Sequence, residues 1–161
     1  IIKSKCNYLI LRLNWIYNDI GENFPKKIIK KIKKNEKLQV VNNQIGTPND
    51  AEFISEITIK IIKKIILNKA NPKILNISTR GKTSYYNFAK KICKKIENNS
   101  TELSPIDSKD YKKIYKNRKI AERPMNSLLN ISKLENFLKT KMPTWEIIFE
   151  KKINKLIKKY S

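Results

Sequence analysis

Short apolar runs alternate along the chain with segments in which apolar residues recur at helical spacing. Three runs, at residues 8–13, 38–41 and 74–78, are nearly continuous, as is typical of parallel strands covered on both faces. The segments after the first two runs have apolar residues every three or four positions, which predicts amphipathic helices. The resulting order of strand, helix, strand, helix, strand predicts an α/β fold.

Capping signals mark where the predicted helices begin. The first helix covers about residues 23–34 and has Pro25 near its start, where a missing backbone N–H costs little. Asn49 and Glu52 fit an N-cap and its third-position partner for the second helix. Hydroxyl residues mark three later helix starts: Thr83 or Ser84, Ser132 with Glu135 as its partner, and Thr144 after Pro143. Residues 98–119 have little periodicity and are interpreted as an extended connection.

The charge of the chain suggests a different class of partner, since 36 Lys and Arg residues against 14 Asp and Glu give a net charge of +22. Such a balance ordinarily indicates nucleic acid or an anionic membrane. Nucleic-acid surfaces use the bidentate fork of Arg, however, and only four of the basic residues are Arg. The lysines are spread over every segment, so the charge is interpreted mainly as composition on solvated faces. No specific nucleic-acid partner and no membrane partner are expected.

The scarce residue types limit the chemistry. The chain has no His and two isolated Cys residues, Cys6 and Cys93, which excludes a His-based triad and argues against a zinc site. No metal ligands are therefore predicted, and free thiols fit a reducing, cytoplasmic compartment. Three separate glycines cannot form a Gly-rich phosphate loop. Tyr86 and Lys90 have the spacing of a dehydrogenase Tyr/Lys pair, but among 7 Tyr and so many Lys residues this match is expected by chance.

Five segments of the chain together resemble one protein family. They are LILRLNWIY (9–17), GENFPKKIIKKIKKNEKLQVVNNQIGTP (21–48), TSYYNFA (83–89), AERPMNSLLNISKLENF (121–137) and MPTWE (142–146). In this order and spacing they resemble the C-terminal half of bacterial dTDP-4-dehydrorhamnose reductases, which are extended short-chain dehydrogenase/reductases. Tyr86 and Lys90 then match the family's helix-start segment and not its catalytic pair, which favours a structural role for both.

The resemblance implies a fold and an activity for the parent protein. Residues 1–20 would be the last part of a Rossmann-like NAD(P)-binding domain, and residues 21–161 a smaller mixed α/β substrate-binding lobe with some segments returning to that domain. The activity would be NAD(P)H-dependent reduction of dTDP-4-dehydro-L-rhamnose to dTDP-L-rhamnose, with NADPH or NADH as cofactor. A homodimer is among the assemblies considered.

The same resemblance leaves the chain without catalytic residues of its own. In the family, the Gly-rich nucleotide-binding turn and the catalytic Thr, Tyr and Lys precede the strand that matches residues 8–13. They would therefore lie upstream of residue 1. The chain alone is expected to be inactive as a reductase and to supply the sugar-facing wall of the cleft.

The residues just after the first strand are the first site candidates. Trp15 matches a family Trp that packs against the deoxysugar of the dTDP-sugar, and a buried core Trp is the alternative. Tyr17 closes the same motif and either lines the pocket or packs in the core. Asn14 stands where the family usually has Ser or Thr, near the nicotinamide end of the cofactor, which makes it the cofactor-binding candidate.

Two later segments supply the remaining candidates for substrate binding. Gln44 and Pro48 belong to a rigid polar corner that matches the family's D-Q-x-G-x-P pattern, and a plain turn is the alternative. Arg123 matches an Arg of the family's A-R-R-P, where Glu122 replaces the other one. Arg123 could bind the nucleotide diphosphate through bidentate hydrogen bonds. An ion pair with Glu122 or another acid is the alternative.

Two other functions stay open at this point. The first is a non-catalytic sugar-nucleotide-binding or regulatory protein of the same fold. The second is a basic nucleic-acid-associated domain. Its binding would have to be selective and survive moderate salt, whereas binding by charge composition alone collapses as salt rises.

Overall fold

The computed structural model describes residues 3, 6–96, 101–115 and 121–160 and has an α/β fold. The strands in these ranges are β1 (Ile10–Arg12), β2 (Ile16–Tyr17), β3 (Leu38–Val41), β4 (Ile45–Gly46), β5 (Asn49–Asp50), β6 (Ile74–Asn76), β7 (Thr83–Ser84) and β8 (Leu103–Ile106). The helices are α1 (Phe24–Lys33), α2 (Ala51–Asn68), α3 (Tyr85–Ile96), α4 (Ser108–Ile114), α5 (Ser132–Leu138) and α6 (Trp145–Tyr160). The α/β fold and the three predicted strands are confirmed.

The strands pair in twos, and most of the pairs are parallel. β1 pairs with β6, β2 with β5 and β3 with β8 in parallel, while β4 and β7 are antiparallel. A parallel bridge also joins Ile45 to Asn126, and another joins Arg80 to Thr144. The short pairs β2–β5 and β4–β7 bring the start of the chain, the corner at residues 44–48 and the start of α3 together.

Two apolar clusters hold these elements. The Phe149 cluster contains the buried faces of α1, β3, α3 and α6: Tyr17, Ile28, Ile29, Ile32, Leu38, Val40, Phe88, Ala89, Ile92, Trp145, Phe149, Ile153 and Leu156. The Leu75 cluster lies between α2, β6 and α5: Phe53, Ile54, Ile57, Ile61, Leu75, Ile77, Leu134 and Met142. Both follow the predicted helical spacing, since the buried isoleucines of α1 and α2 recur every three or four positions.

Two of the predicted helix starts are confirmed. α1 follows the N-cap Asn23, whose side chain accepts from the Lys26 N–H at 3.3 Å, and Pro25 lies in its first turn. α3 is capped by Ser84, whose Oγ accepts from the Asn87 N–H at 3.0 Å. In each case a side-chain oxygen satisfies a backbone donor that the first helical turn leaves unpaired.

Two other predicted caps are wrong. The cap of α2 is Asp50 and not Asn49, because the Asp50 carboxylate accepts from the N–H groups of Glu52 and Phe53 at 3.0 and 3.1 Å. Ser132 does not cap α5, because the helix begins at Ser132 itself and the Ser132 N–H donates to the Asn130 Oδ1 at 2.9 Å. Its expected partner, Glu135, is instead drawn into an ion pair with another segment. A carboxylate satisfies two N–H donors better than an amide oxygen does, which leaves Asn49 available elsewhere.

The extended connection predicted at residues 98–119 is also wrong where it is described. Residues 103–106 form β8, which pairs in parallel with all of β3 from Leu38 to Val41. Residues 108–114 form α4, which Asp107 caps by accepting from the Lys109 N–H at 2.8 Å. Both elements are too short for a periodic signal, and Pro105 makes β8 unlike a typical strand sequence. Residues 98–100 and 116–119 lie outside the described ranges.

None of the helices in the described ranges has the length and apolar character needed to cross a bilayer. The same ranges contain no group of three or more His, Cys, Asp and Glu side chains placed to hold a metal ion.

Candidate functional site

The region around Trp15 joins four segments that are far apart in sequence. Residues 14–17 leave β1 and pair with β5, so that the Asn49 N–H donates to the Trp15 carbonyl at 3.0 Å. The corner at residues 44–48 lies beside the segment at 125–127, because the Ile45 N–H donates to the Met125 carbonyl at 2.8 Å and the Ser127 N–H to the Ile45 carbonyl at 2.8 Å. The start of α3 completes the group.

Asn49 is the polar centre of this region and is fully buried. Its Nδ2 donates to the Asn14 carbonyl at 3.0 Å, the Asn14 Oδ1 at 2.8 Å and the Thr47 carbonyl at 2.9 Å. Its Oδ1 accepts from the Thr79 N–H at 2.7 Å and from the Thr79 hydroxyl at 3.1 Å. The side chain therefore ties the end of β1, the corner and the end of β6 into one rigid unit.

Asn14 belongs to the same network. Its Nδ2 donates to the Ser127 carbonyl at 2.6 Å, and its Oδ1 accepts from Asn49. Both ends of the amide are thus used inside the protein. The structure places Asn14 where it positions the segments around it, and its role near a cofactor stays a prediction.

Trp15 is held between two groups, one on each ring face. A Cβ added at Gly46 would lie 2.3 Å from Cε2 of Trp15 and 2.7 Å from both Cδ2 and Cζ2, the two carbons bonded to Cε2. These distances place the added Cβ above a face of the Trp15 ring and not beside its edge. The Tyr85 ring stacks on Trp15 with centroids 3.8 Å apart and an interplanar angle of 15°. At such short distances Gly46 and Tyr85 cannot share a face, so they cover opposite faces.

Tyr17 lies in the core, not at an open pocket. Its side chain is 3% exposed, belongs to the Phe149 cluster and packs against Phe88 with ring centroids 5.9 Å apart. Burial raises the pKa of the Tyr17 hydroxyl, and the nearby Asp50 carboxylate raises it further. These contacts favour the packing alternative for Tyr17 over pocket lining.

Gln44 and Pro48 are both buried at the two ends of the corner. The Pro48 carbonyl accepts from the Thr79 hydroxyl at 3.1 Å, and the Thr47 hydroxyl donates to the Gly81 carbonyl at 2.9 Å. The corner is therefore fixed against two neighbouring loops as well as against residues 125–127. Its rigidity suits a wall of a binding cleft and equally suits a structural turn.

Arg123 is exposed and lies beside the Tyr85 hydroxyl. Burial raises the pKa of Tyr85, and the Arg123 guanidinium opposes that rise. No salt bridge joins Glu122 to Arg123 in the described ranges, and the Glu122 carboxylate accepts from Lys112 at 3.1 Å. Within the described ranges Arg123 forms no salt bridge, so its charge is available to an anionic ligand.

The Tyr86 and Lys90 pattern does not form a catalytic pair here. Tyr86 is half-buried and packs against the Phe149 cluster, and Lys90 is exposed on α3. No hydrogen bond joins their side chains in the described part of the chain. The structural interpretation therefore holds for both residues.

Three features of the region were not predicted from sequence. Asn49 was interpreted as a cap, Tyr85 was passed over in favour of its neighbour Tyr86, and Ser127 had no assigned role. Two adjacent tyrosines at a helix start are a usable signal, because on a helix they point about 100° apart and so meet different neighbours. Asn49 directly before Asp50 is a similar signal, since one helix start needs only one cap.

Together, the side chains near Trp15 provide an aromatic pair and a phenol hydroxyl beside an exposed guanidinium that forms no salt bridge within the described ranges. Guanidinium groups bind phosphates through paired N–H donors, and aromatic groups pack on the apolar parts of sugars and bases. The arrangement is suited to binding an anionic ligand with a ring.

Comparison with known proteins identifies a family that the sequence matches. Residues 1–160 match the family described as RmlD substrate binding domain. The dTDP-4-dehydrorhamnose reductase of Sinorhizobium fredii (strain NBRC 101917 / NGR234) is 30% identical over 151 residues, which cover 91% of this chain and 49% of the relative. The dTDP-4-dehydrorhamnose reductase of Escherichia coli (strain K12) is 27% identical over 155 residues, covering 92% and 50%.

A solved structure agrees with the sequence comparison. The crystal structure of dTDP-4-dehydrorhamnose reductase from Bacillus anthracis str. Ames in complex with NADP superposes with a TM-score of 0.72 at 26% identity. The match covers 93% of this chain and 49% of that one. The chain spans about half the length of the curated relatives it matches. Because the family match covers all but one residue of the sequence, this chain belongs to the RmlD substrate binding domain family.

Proposed function

We propose that this chain is the sugar-nucleotide-binding part of a dTDP-4-dehydrorhamnose reductase, which reduces the 4-keto group of dTDP-4-dehydro-L-rhamnose. The observation that carries the proposal is the meeting of residues 14–17, the corner at 44–48, the start of α3 and the segment at 121–127 around Trp15. These are the segments through which the sequence resembles the reductases. They converge on a group suited to an anionic, ring-containing ligand.

The roles within the site follow from exposure and charge. Arg123 is exposed and without a salt bridge in the described ranges, which suits it to the diphosphate of the nucleotide. Trp15 is the proposed contact for the deoxysugar. Gln44 and Pro48 form the rigid wall beside it. Asn14 acts through the network that fixes the end of β1, close to where the resemblance puts the nicotinamide.

The proposed division of the chain rests on the two apolar clusters. β1 pairs in parallel with β6 and packs with α2 and α5 around the Leu75 cluster, which is an arrangement typical of a parallel α/β sheet. Residues 1–20 would belong to a Rossmann-like domain, to which β6, α2 and α5 return. The Phe149 cluster would be the core of the substrate-binding lobe within residues 21–161.

NADPH or NADH is the proposed cofactor, because a relative is in complex with NADP. The proposal gives these 161 residues the role of binding the sugar nucleotide and gives hydride and proton transfer to other parts of the parent protein. A homodimer and a cytoplasmic location stay predictions.

The proposal is tested by titrating the chain with dTDP-L-rhamnose, dTDP and UDP in an isothermal calorimeter at about 150 mM salt. This salt screens charges separated by more than about 8 Å and so weakens non-selective attraction to the lysines. We expect dTDP-L-rhamnose and dTDP to bind, and the Arg123→Ala variant to bind about tenfold more weakly because a charge-assisted contact is lost.

Lys112 provides the matched control. It is a cation in the same region, but its ammonium already pairs with Glu122, so Lys112→Ala should bind dTDP as the unaltered chain does. Equal weakening by both substitutions, or equal binding of dTDP and short DNA, would indicate attraction to net charge and would contradict the proposal. We also expect no substrate-dependent NADPH oxidation by the purified chain alone.

A further inference from the structure

Trp15 differs from the expected substrate contact in the way its ring is presented. The resemblance implies an indole whose open face packs on the sugar. Here both faces are covered, one by the Gly46 backbone and the other by the stacked Tyr85 ring. A ligand ring can stack on Trp15 only if one of these neighbours moves away.

Neither neighbour is placed to move easily. Gly46 is buried in the β4–β7 pair, whose strands are joined by backbone hydrogen bonds. Tyr85 begins α3 and its ring also contacts Phe24, with centroids 4.9 Å apart. Trp15 itself has a backbone φ of +40°, a left-handed value that non-glycine residues adopt only when the surroundings hold them there.

The edge of the indole remains available. In the part of the chain that the structure describes, Trp145 Nε1 is the one enclosed side-chain nitrogen or oxygen without a hydrogen-bond partner. Trp15 Nε1 has no hydrogen-bond partner in that part of the chain either, and because Trp15 is only half-buried its nitrogen is not among the enclosed atoms. An indole N–H is a hydrogen-bond donor only, and an oxygen of a sugar or a phosphate can accept from it.

We propose that Tyr85 is a positioning residue that clamps Trp15 so that its indole N–H, and not its ring face, contacts an oxygen of the bound sugar nucleotide. The inference rests on the proposed function, because it specifies how that ligand is recognised. The hydroxyl groups of the sugar and the diphosphate both offer acceptors of the required kind. The Tyr85 ring fixes the direction of the donor, while Arg123 stands next to the Tyr85 hydroxyl.

The chain has two tryptophans, so a ¹H–¹⁵N spectrum contains two indole N–H signals, and the Trp145→Phe variant assigns them. Saturation with dTDP-L-rhamnose should move the Trp15 signal downfield and slow its exchange with water, as hydrogen-bond formation requires. The signal of the enclosed Trp145 should stay in place. A Trp15 signal that does not move at saturation would overturn the proposal.

Substitutions at position 85 separate clamping from simple stability. Tyr85→Ala should weaken dTDP-L-rhamnose binding about fivefold, which corresponds to one aromatic pair, and should reduce the Trp15 shift. Tyr85→Phe keeps the stacked ring and should restore both the affinity and the shift. Tyr86→Ala is the matched control, because both tyrosines are half-buried and pack on the Phe149 cluster, but the ring stacked on Trp15 is that of Tyr85.

The outcomes distinguish this inference from the function on which it rests. Unchanged or tighter binding by Tyr85→Ala would mean that Tyr85 merely covers the Trp15 face, and it would overturn the clamp while leaving the proposed function intact. Equal losses from Tyr85→Ala and Tyr86→Ala would likewise reduce Tyr85 to a stabilising residue. Failure of the unaltered chain to bind either dTDP or dTDP-L-rhamnose would overturn the proposed function and this inference with it.

Discussion

Trp15 and Trp145 have the same two kinds of neighbour, a glycine and an aromatic residue of α3, but only Trp15 lies in the candidate site. Each indole lies against a glycine, Gly46 for Trp15 and Gly81 for Trp145. Each also meets an aromatic residue from the first turn of α3: Tyr85 stacks on Trp15, and Phe88 meets Trp145 edge-on with centroids 5.5 Å apart. The two tryptophans therefore share the kinds of neighbour they have and differ in burial and in what their polar groups meet.

The difference lies in the indole N–H and in the anchoring of the backbone. Trp145 is 4% exposed and its Nε1 is enclosed without a partner, as in a core residue whose packing outweighs one unmet donor. The indole N–H of Trp15 does not share this enclosure. The Trp15 carbonyl accepts from the backbone N–H of Asn49, whose side chain holds a network of uncharged groups. The backbone N–H of Trp145 instead donates to the carbonyl of Arg80, whose side chain forms an ion pair. Similar neighbours thus surround Trp15 in the candidate site and Trp145 in the core.

The largest loss of stability should come from removing the Asn49 side chain, whose uncharged network holds the Trp15 region. Asn49→Ala leaves the groups on Asn14, Thr47 and Thr79 without their buried partner, and we expect a loss of about 4 kcal/mol in the free energy of unfolding. Urea unfolding measures this loss. Asn154→Ala, an exposed asparagine on α6, is the control and should change stability little. Equal effects at the two positions would show that the Asn49 network does not hold the Trp15 region together.

The next effect tests the glycine contact itself. Gly46→Ala places a methyl group 2.3 Å from the Trp15 ring, so the indole must shift, and we expect a loss of about 3 kcal/mol in unfolding free energy together with an altered near-ultraviolet circular dichroism signal. Gly21→Ala is the control for glycine replacement. Gly21 has a φ of +64° and nothing within 4 Å of an added Cβ, so only backbone strain of about 1 kcal/mol is expected. An unchanged near-ultraviolet circular dichroism signal in Gly46→Ala would contradict the close contact between Gly46 and the Trp15 ring.

The parts of this comparison that could be predicted from sequence are those that depend on periodicity or on local capping. Apolar spacing identified α1 and α2, and hydroxyl residues marked the starts of later helices. The resemblance to a family identified Trp15 as a site residue. Neither kind of signal reports which face of a ring is open, because that depends on residues 31 and 70 positions away, Gly46 and Tyr85.

The missed features were missed for a common physical reason. Asn49 was given a local role as a helix cap, but a buried amide satisfies more groups by bridging distant segments than by capping one turn. Glu135 was likewise assigned to its own helix, and its carboxylate instead meets Arg80. β8 was missed because a four-residue strand containing Pro105 gains its order from pairing with β3, and pairing leaves no pattern in either strand alone. Local sequence patterns therefore predicted most helices and strands, whereas contacts between distant polar residues determine the geometry of the candidate site.

The smallest of the three effects tests the charged anchor of Trp145 and has a pH dependence that the Trp15 side should lack. Glu135 accepts from Arg80 at 2.8 and 2.9 Å and from the Met142 N–H at 2.8 Å. The Arg80 guanidinium is the main reason that the pKa of Glu135 is held at about 2, below its ordinary value of 4.5. A carboxyl whose pKa is lower in the folded state stabilises the protein above its unfolded pKa, and that stability is lost as pH falls toward the folded pKa.

Glu135→Gln should therefore lower the free energy of unfolding by about 2 kcal/mol at pH 7, through loss of charge-assisted hydrogen bonds to a nearly buried group. Its deficit relative to the unaltered chain should shrink as pH falls from about 5 toward 2, which urea unfolding at pH 7 and pH 3 would detect. Glu36→Gln removes the exposed pair with Lys31 and should change stability by less than about 0.5 kcal/mol. A deficit that stays constant with pH would mean that Glu135 contributes through packing, and that the Trp145 anchor is not electrostatic in nature.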